Sequence, residues 1–390
     1  MRAFLPLLLA ACAISQSAEA QSTAKALQIY YVDTEGGQAT LFVTPSGESL
    51  LVDVGNPGGR DTDRLMLAIE DAAVKQIDHL VLTHYHGDHV GGLAELAKRI
   101  PIKRFYDHGP AAEGDRAGGQ GFMEQYAEIH ANAVRTIVKP GDKLPVSGLD
   151  ITVVSSAGQV LKSNLPGAGR PNAACAGFVE KDLSKVFDPD NAYSVGFVLG
   201  FGRFRTIDLG DLTWNHEGQL ACPANRLGTV DLYLTTHHGI NQSNAPAIVH
   251  ALQPRVAIMN NGTRKGGSLE TFQALESSPG LEDLWQLHWS HNVTIEHNAP
   301  GVFIANIEDN ATVANILTAP PPAPRGTGAP TGAPVGPPGA GGGRGGAGRG
   351  NAPPPHTPAY WIKVTAQQDG TFTVTNARNG FSKTYAASKK

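Results

Sequence analysis

Short apolar blocks of two kinds alternate along this chain. Residues 27–33, 38–44 and 49–54 are rich in β-branched and aromatic positions, with Glu35-Gly36-Gly37 and Pro45-Ser46-Gly47 between them. That pattern predicts an antiparallel meander. Over 61–75 the apolar residues Leu65, Leu67, Ile69, Ala72 and Ala73 follow a capping Asp61 at helical spacing, so a helix is expected. A buried strand over 79–83, a helix over 93–99, a strand over 102–107 and a helix over 122–134 continue the alternation. Strands are expected again at 150–155, 194–199, 205–209 and 231–235, and helices at 245–252 and 268–276. Extended segments are expected at 255–259 and 302–307, and 360–366 and 371–375 flank the hairpin signal Gln368-Asp369-Gly370. Two β-rich halves interleaved with helices predict an α/β (α+β) chain folded as a four-layered αββα sandwich of two mixed β-sheets with outer helices. No Gly-x-Gly-x-x-Gly follows a strand, so a dinucleotide site has no support.

Two segments stand outside the alternation. Residues 1–20 combine Arg2, an apolar stretch and Ala18-Glu19-Ala20 before Gln21, the pattern of a secretory signal that leads to secretion or the periplasm. Within it, Leu9-Ala10-Ala11-Cys12 resembles a bacterial lipoprotein processing site, so a lipid anchor at Cys12 is the alternative. No other stretch is long and apolar enough to cross a membrane. Residues 318–358 hold 12 Pro and 12 Gly with three arginines and no acid, which reads as a disordered linker or insertion. The organisation expected is therefore a signal over 1–20, a catalytic domain over 21–317, the Pro/Gly tract over 318–358 and a C-terminal β-hairpin segment over 359–390. An isolated hairpin is marginal in water, so the last segment is expected to pack on the main domain.

Composition narrows the chemistry. The net charge is −4, and setting aside Arg325, Arg344 and Arg349 of the Pro/Gly tract leaves −7 for the rest. That balance argues against tight, sequence-blind binding of nucleic acid. Three cysteines cannot form a disulfide scaffold. In an oxidising compartment Cys175 and Cys222 are free to pair, which spacing alone leaves open. No Gly-x-Ser-x-Gly elbow is present, so a serine hydrolase is not indicated.

Thr83-His84-Tyr85-His86-Gly87-Asp88-His89 is the most informative stretch. Four metal-binding side chains within six residues, directly after an apolar strand, would strand or repel one another without a cation. Alternate residues of an extended segment point the same way, so His84 and His86 can grip one ion. Asp88 and His89 open the following helix and can reach a second. Zinc suits this mixture of nitrogen and oxygen donors.

The pattern resembles the metallo-β-lactamase superfamily, whose signature is His-x-His-x-Asp-His after a strand, over about residues 27–260. The resemblance implies that Asp53, in Leu51-Val52-Asp53-Val54-Gly55, supports the ligand loop from behind. It further implies that Asp211, in Ile207-Asp208-Leu209-Gly210-Asp211, bridges two metals and that His238, before Gly239, is a ligand. The opening Val32-Asp33-Thr34-Glu35-Gly36-Gly37-Gln38-Ala39 with His237-His238-Gly239 resembles most closely the hydrolase domain of competence-type DNA-uptake proteins (ComEC-like) and choline-phosphate esterases. The family's Gly-His-Thr loop, which supplies a third histidine to the first metal, has no counterpart here. His108 is one substitute; the alternative is two histidines with Asp211 and water, or a first site that fills only weakly. His216 and Tyr85 are expected beside the site, and His237 is a candidate donor to the substrate. His288, His291 and His297 carry no spacing signal.

The implied activity is that of a secreted zinc-dependent hydrolase, with two ions per chain activating a shared water and Asp88, Asp211 and His237 taking part. A small phosphoester or phosphodiester substrate follows from the resemblance. Lactones, β-lactams and other carboxyl esters remain open, as does a non-catalytic binding protein on the same fold. Nucleic acid is a disfavoured partner.

Overall fold

The computed structural model describes residues 26–112, 121–183, 189–307 and 359–388. The expected signal over 1–20 with Cys12, and the Pro/Gly tract over 318–358, lie outside the described residues.

Two β-sheets face each other. The first runs in the order β18 (Ser382–Tyr385), β17 (Phe372–Asn376), β16 (Ile362–Ala366), β1 (Leu27–Tyr31), β2 (Thr40–Val43), β3 (Ser49–Val52), β4 (His79–Val81), β5 (Arg104–Asp107), β6 (Val134–Ile137). Its pairings are antiparallel up to β3 and parallel from β3 to β6. The second runs β15 (Ile304–Asn306), β14 (Asp283–His288), β13 (Val256–Met259), β12 (Leu232–Leu234), β11 (Phe204–Asp208), β10 (Gly196–Phe201), β8 (Asp150–Ser156), β7 (Lys143–Leu144), with β9 (Gln159–Val160) added to β8. Strands β11 to β15 are parallel neighbours and the remainder antiparallel. Both sheets are mixed, as the sequence predicts.

Alternation of side chains across each strand explains the layers, because both faces of the central strands are apolar. Ile29, Phe42, Leu50 and Val52 point inward against Val153, Phe197, Leu199, Leu232 and Trp285 of the other sheet. Their neighbours Tyr30, Leu41 and Leu51 point outward, where Leu65, Ile69, Leu93 and Tyr126 cover them. Those residues come from α1 (Arg60–Asp71), α3 (Leu93–Ala97) and α4 (Phe122–His130). The outer face of the second sheet is covered by Leu220, Ile248, Leu252 and Phe272 from α6 (Trp214–Ala221), α7 (Pro246–Leu252) and α8 (Leu269–Glu276). Two short helices, α2 (Gly87–Val90) and α5 (Pro189–Ala192), sit in loops beside the site.

The structure departs from the pattern in several places. The helix expected to 134 ends at His130, and Val134–Ile137 instead forms the edge strand β6, where Arg135 pairs with Asp107 at 2.7 Å. Residues 283–288, in which no element is expected, form the buried strand β14. The C-terminal unit is a three-stranded meander, and Cys175 and Cys222 are joined in a disulfide.

That meander extends the first sheet: β16 pairs along all of β1, from Leu27↔Ala366 to Tyr31↔Ile362. Ile362, Val364, Phe372, Val374 and Tyr385 are fully enclosed in the core between the sheets. Trp285 Nε1 donates to Tyr385 Oη at 3.0 Å, which ties the meander to the opposite sheet. Each such side chain contributes roughly 1.5–3 kcal/mol by burial, so together they rival the 5–15 kcal/mol net stability of a typical domain. A chain ending at Ile307 is therefore expected to lose cooperative unfolding, measured by circular dichroism on heating. A melt unchanged from that of the full chain would contradict the packing described.

Candidate metal centre

The side chains of interest leave the carboxyl ends of neighbouring strands. β3 delivers Asp53, β4 delivers His84 to His89, β11 delivers Asp211 and β12 delivers His237 and His238. Asp53, itself at φ 58°, is buried beneath the ligand loop. One of its oxygens accepts from Thr83 N at 2.8 Å, and the other accepts from Thr83 Oγ1 at 2.6 Å. The second oxygen also lies 2.7 Å from His89 Nδ1. A carboxylate there holds the proton on Nδ1 and leaves Nε2 free as a ligand. Gln38 N donates to Asp88 O at 3.1 Å, and a Cβ on Gly37 would come within 2.3 Å of that oxygen, so only glycine fits.

The opposite wall is strained. His237 and His238 both stand at φ 53°, a left-handed conformation that costs of order 1–3 kcal/mol for a residue other than glycine. Backbone hydrogen bonds hold it: His237 N donates to Gly210 O at 2.9 Å, and His238 O accepts from Gly267 N at 3.0 Å.

Asp211 is where the walls meet. Its Oδ2 lies 3.7 Å from His84 Nε2, 3.3 Å from His89 Nε2, 3.5 Å from His238 Nε2 and 3.3 Å from His237 Nε2. Asp88 Oδ2 lies 3.5 Å from His89 Nε2 and 3.3 Å from His238 Nε2. Two donor groups result, one of Asp88, His89, Asp211 and His238, the other of His84, His86 and Asp211, each gathered within 4.8 Å. Tetrahedral zinc with bonds of about 2.0–2.2 Å spaces its ligands by about 3.4 Å, and the separations here match.

A second observation fits a cation. His84 Nε2 faces His86 Nδ1 at 2.9 Å and His89 Nε2 faces His238 Nε2 at 3.2 Å. Facing imidazole nitrogens need a proton or a cation between them. Asp211 Oδ1 is buried with no hydrogen-bond partner among the described residues.

Electrostatics agree. Burial raises the cost of ionising Asp211, but His237, His89 and His238 outweigh it and hold the carboxyl well below the usual range. Asp88 is held down likewise, by Lys265, His89 and His238 against burial. Burial resists charging His89, yet Asp211, Asp88 and Asp53 raise it well above an ordinary histidine. His84 is kept neutral by burial and by the neighbouring His89 and His86. Burial also pushes His237 down to about 4. The site thus holds ionised Asp88 and Asp211 with neutral His84 and His237, and a His89 whose extra proton a divalent cation would replace.

Not every candidate reaches the site. His108 does not join either donor group: its ring packs 4.3 Å from that of Tyr85, and its Nε2 lies 3.6 Å from Asp190. The turn after β5, where Asp107 accepts from Gly109 N at 2.7 Å, sends it that way. The group of His84 and His86 therefore has those two histidines and Asp211 as its protein donors among the described residues. Tyr85 turns into the helix-side core and donates to Gly109 O at 2.7 Å rather than lining the cleft. His216 Nδ1 is 2.8 Å from Thr213 Oγ1 on α6, outside both groups. His288 is buried, with Nε2 2.6 Å from Asp33.

Three residues escape the sequence reading. Asp190 accepts from Tyr85 N at 2.6 Å and steadies the ligand loop. Lys265 contacts Asp88. Glu217 is buried beneath the His237–His238 turn and accepts from Ala245 N at 2.9 Å. Burial pushes Glu217 up to about 7 from the 4.5 of an ordinary glutamate. The unfolded chain therefore gives up this proton first, and the group withdraws stability as pH rises between those two values. Glu217→Gln keeps an acceptor for Ala245 N without the ionisation. Relative to the parent it is expected to gain up to about 3 kcal/mol between about pH 4.5 and about pH 8. Urea melts across that range check it, and a difference that stays flat with pH refutes it.

The match to a known family falls in the first half of the chain. The model of the Metallo-beta-lactamase superfamily matches residues 33–174. The thioesterase pkgB of Emericella nidulans is 31% identical over 106 residues, 27% of this chain and 29% of that protein. Ribonuclease Z of Methanopyrus kandleri is 31% identical over 121 residues, 30% of this chain and 38% of its own length. The hydroxyacylglutathione hydrolase of Erwinia tasmaniensis is 31% identical over 116 residues, 30% and 37%. The chain thus spans about a third of each of these relatives. The fold is the metallo-β-lactamase sandwich, and over residues 33–174 the chain is similar to the metallo-β-lactamase superfamily.

Proposed function

We propose that this chain is a zinc-dependent hydrolase of small phosphoesters or phosphodiesters. The observation that carries the reading is the position of Asp211, one buried carboxylate shared by two groups of metal donors. His84 and His86 with Asp211 would hold one ion, and Asp88, His89 and His238 with Asp211 the other. A divalent pair bound there lowers the pKa of a shared water towards 7 and takes up negative charge at the electrophile. The chain's own residues do the rest. Asp53 fixes the ring of His89, and the backbone bonds of the strained turn fix His238. His237, neutral at working pH, has its Nε2 beside Asp211 and only 8% of its surface exposed. From there it is placed to donate a hydrogen bond to a substrate oxygen.

The phosphoester reading draws on the resemblance of 32–39 and 237–239 to competence-type hydrolases and choline-phosphate esterases, and on the similarity to a ribonuclease. A thioester reading has its own support, since two of the relatives bear the names thioesterase and hydroxyacylglutathione hydrolase. Metal content together with turnover of bis-p-nitrophenyl phosphate, a p-nitrophenyl thioester, nitrocefin and a simple lactone separates these. The expected result is two zinc ions per chain and preference for the phosphodiester. His86→Ala and Asp88→Ala are each expected to lower bound zinc and to cut turnover by more than the 10–100-fold typical of losing a supporting group. Retention of both properties would end the reading.

Export is part of the proposal. Residues 1–20 carry the signal pattern, and the Cys175–Cys222 disulfide suits an oxidising compartment. The mature chain is expected to begin at Gln21, read by N-terminal sequencing. A lipidated Cys12 would mark the anchored alternative, and an intact Met1 would refute export.

A further inference from the structure

Among the described residues that touch the two donor groups, Lys265 alone carries a permanent positive charge. Its ammonium contacts Asp88 Oδ2, the oxygen that faces His89 and His238. On its other side the lysine is open, with 44% of the side chain exposed. Asp88 is the one ion-pair partner of that ammonium among the described residues.

The backbone beneath this lysine is tied to the metal centre itself. Lys265 O accepts from Gly262 N at 2.8 Å to close a turn, and two residues on, Gly267 N donates to His238 O. A Cβ on Gly266, which stands at φ 79°, would lie 2.0 Å from that same oxygen. Asn292 Nδ2 donates to Gly266 O at 2.8 Å. On the near side the Cβ of Lys265 seats against Gly36, where an added Cβ would come within 2.9 Å. One hydrogen bond thus sets both the ligand His238 and the stem of the lysine. The ammonium has a defined origin at the mouth and a flexible reach of four methylenes.

Asp88 cannot neutralise a metal ion and an ammonium equally. A carboxylate committed to a divalent cation leaves the nearby lysine short of negative charge, and its exposed side turns to whatever anion enters from solvent. The chain outside the Pro/Gly tract carries −7, so an anionic substrate meets repulsion at long range. A fixed cation at the mouth offsets that locally.

We infer that Lys265 is the substrate's anion receptor: it takes a phosphoryl oxygen beside the bond that is cut, and so selects substrates bearing a phosphate. This rests on the phosphoester reading of the same site. The test uses the full chain loaded with zinc and inorganic phosphate as probe, its affinity measured by calorimetry in the parent, Lys265→Gln and Lys265→Arg. Loss of a hydrogen bond to a charged group predicts weakening of at least about tenfold in the Gln variant. Zinc content and zinc affinity should be unchanged, and the Arg variant should retain phosphate. Turnover of p-nitrophenyl acetate, a neutral ester, should survive in the Gln variant while KM for bis-p-nitrophenyl phosphate rises. Phosphate bound equally by parent and Gln variant, or by neither, overturns the inference. So does parallel loss of zinc, which would make Lys265 only a support for Asp88. If the parent cleaves carboxyl esters but not phosphoesters while the Gln variant still loses phosphate, the functional reading falls and the anion receptor stands.

Discussion

Crowding of negative charge in a dry place is the constraint to which the rest of this molecule answers. Asp53 and Asp211 are buried, Asp88 nearly so, and all three converge on His89. Burial of ionised carboxylates without compensation is prohibitive, so each is met by imidazole, ammonium or backbone N–H. Among the described residues imidazole nitrogens face each other in pairs, and one oxygen of Asp211 has no hydrogen-bond partner. A cation between the walls resolves both facts at once. The strain at His237 and His238 belongs to the same account, because only that turn points His238 at Asp88 and Asp211.

The sandwich exists to hold those walls in register. Each sheet contributes one wall from the carboxyl ends of its strands, and the apolar layer between them sets their separation. Gln38 Nε2, on the first sheet's side, donates to the buried Asp208 of the second at 2.7 Å, directly beneath the site. The C-terminal meander closes the far end of the same layer, so residues more than a hundred positions beyond the last ligand belong to the scaffold of the centre. Beside α6, the Cys175–Cys222 disulfide pins a segment in which Phe178 stacks on Trp214, three residues after Asp211.

The family match and the structure divide the site between them. Residues 33–174 include Asp53 and the 84–89 motif, while Asp211 and His238 lie beyond the matched range. It is the folded geometry that brings the second half's ligands to within 3.3–3.7 Å of the first half's. The relatives differ among themselves in what they are named for, from thioesters to RNA. On the proposed reading, one water-activating centre would serve many electrophiles, and selectivity would fall to the rim, where Lys265 stands.

What could be read along the chain was whatever is encoded locally. Four ligands within six residues declare a metal loop because crowded imidazoles have little other use, and alternating apolar blocks declare two sheets. Asp211 and His238 were legible only through resemblance, since a lone aspartate or histidine has no period. The failures share one cause. Val134–Ile137 has the composition of a strand but follows a helix without a break signal, and only pairing with β5 decides it. Asp190, Glu217 and Lys265 act on partners 105, 28 and 177 positions away. His108 sits at a strand end like a ligand, and one tight turn aims it elsewhere. Local sequence determined which groups were available; the packing of the two sheets decided which of them meet, because distance through space is set by the core and not by the chain.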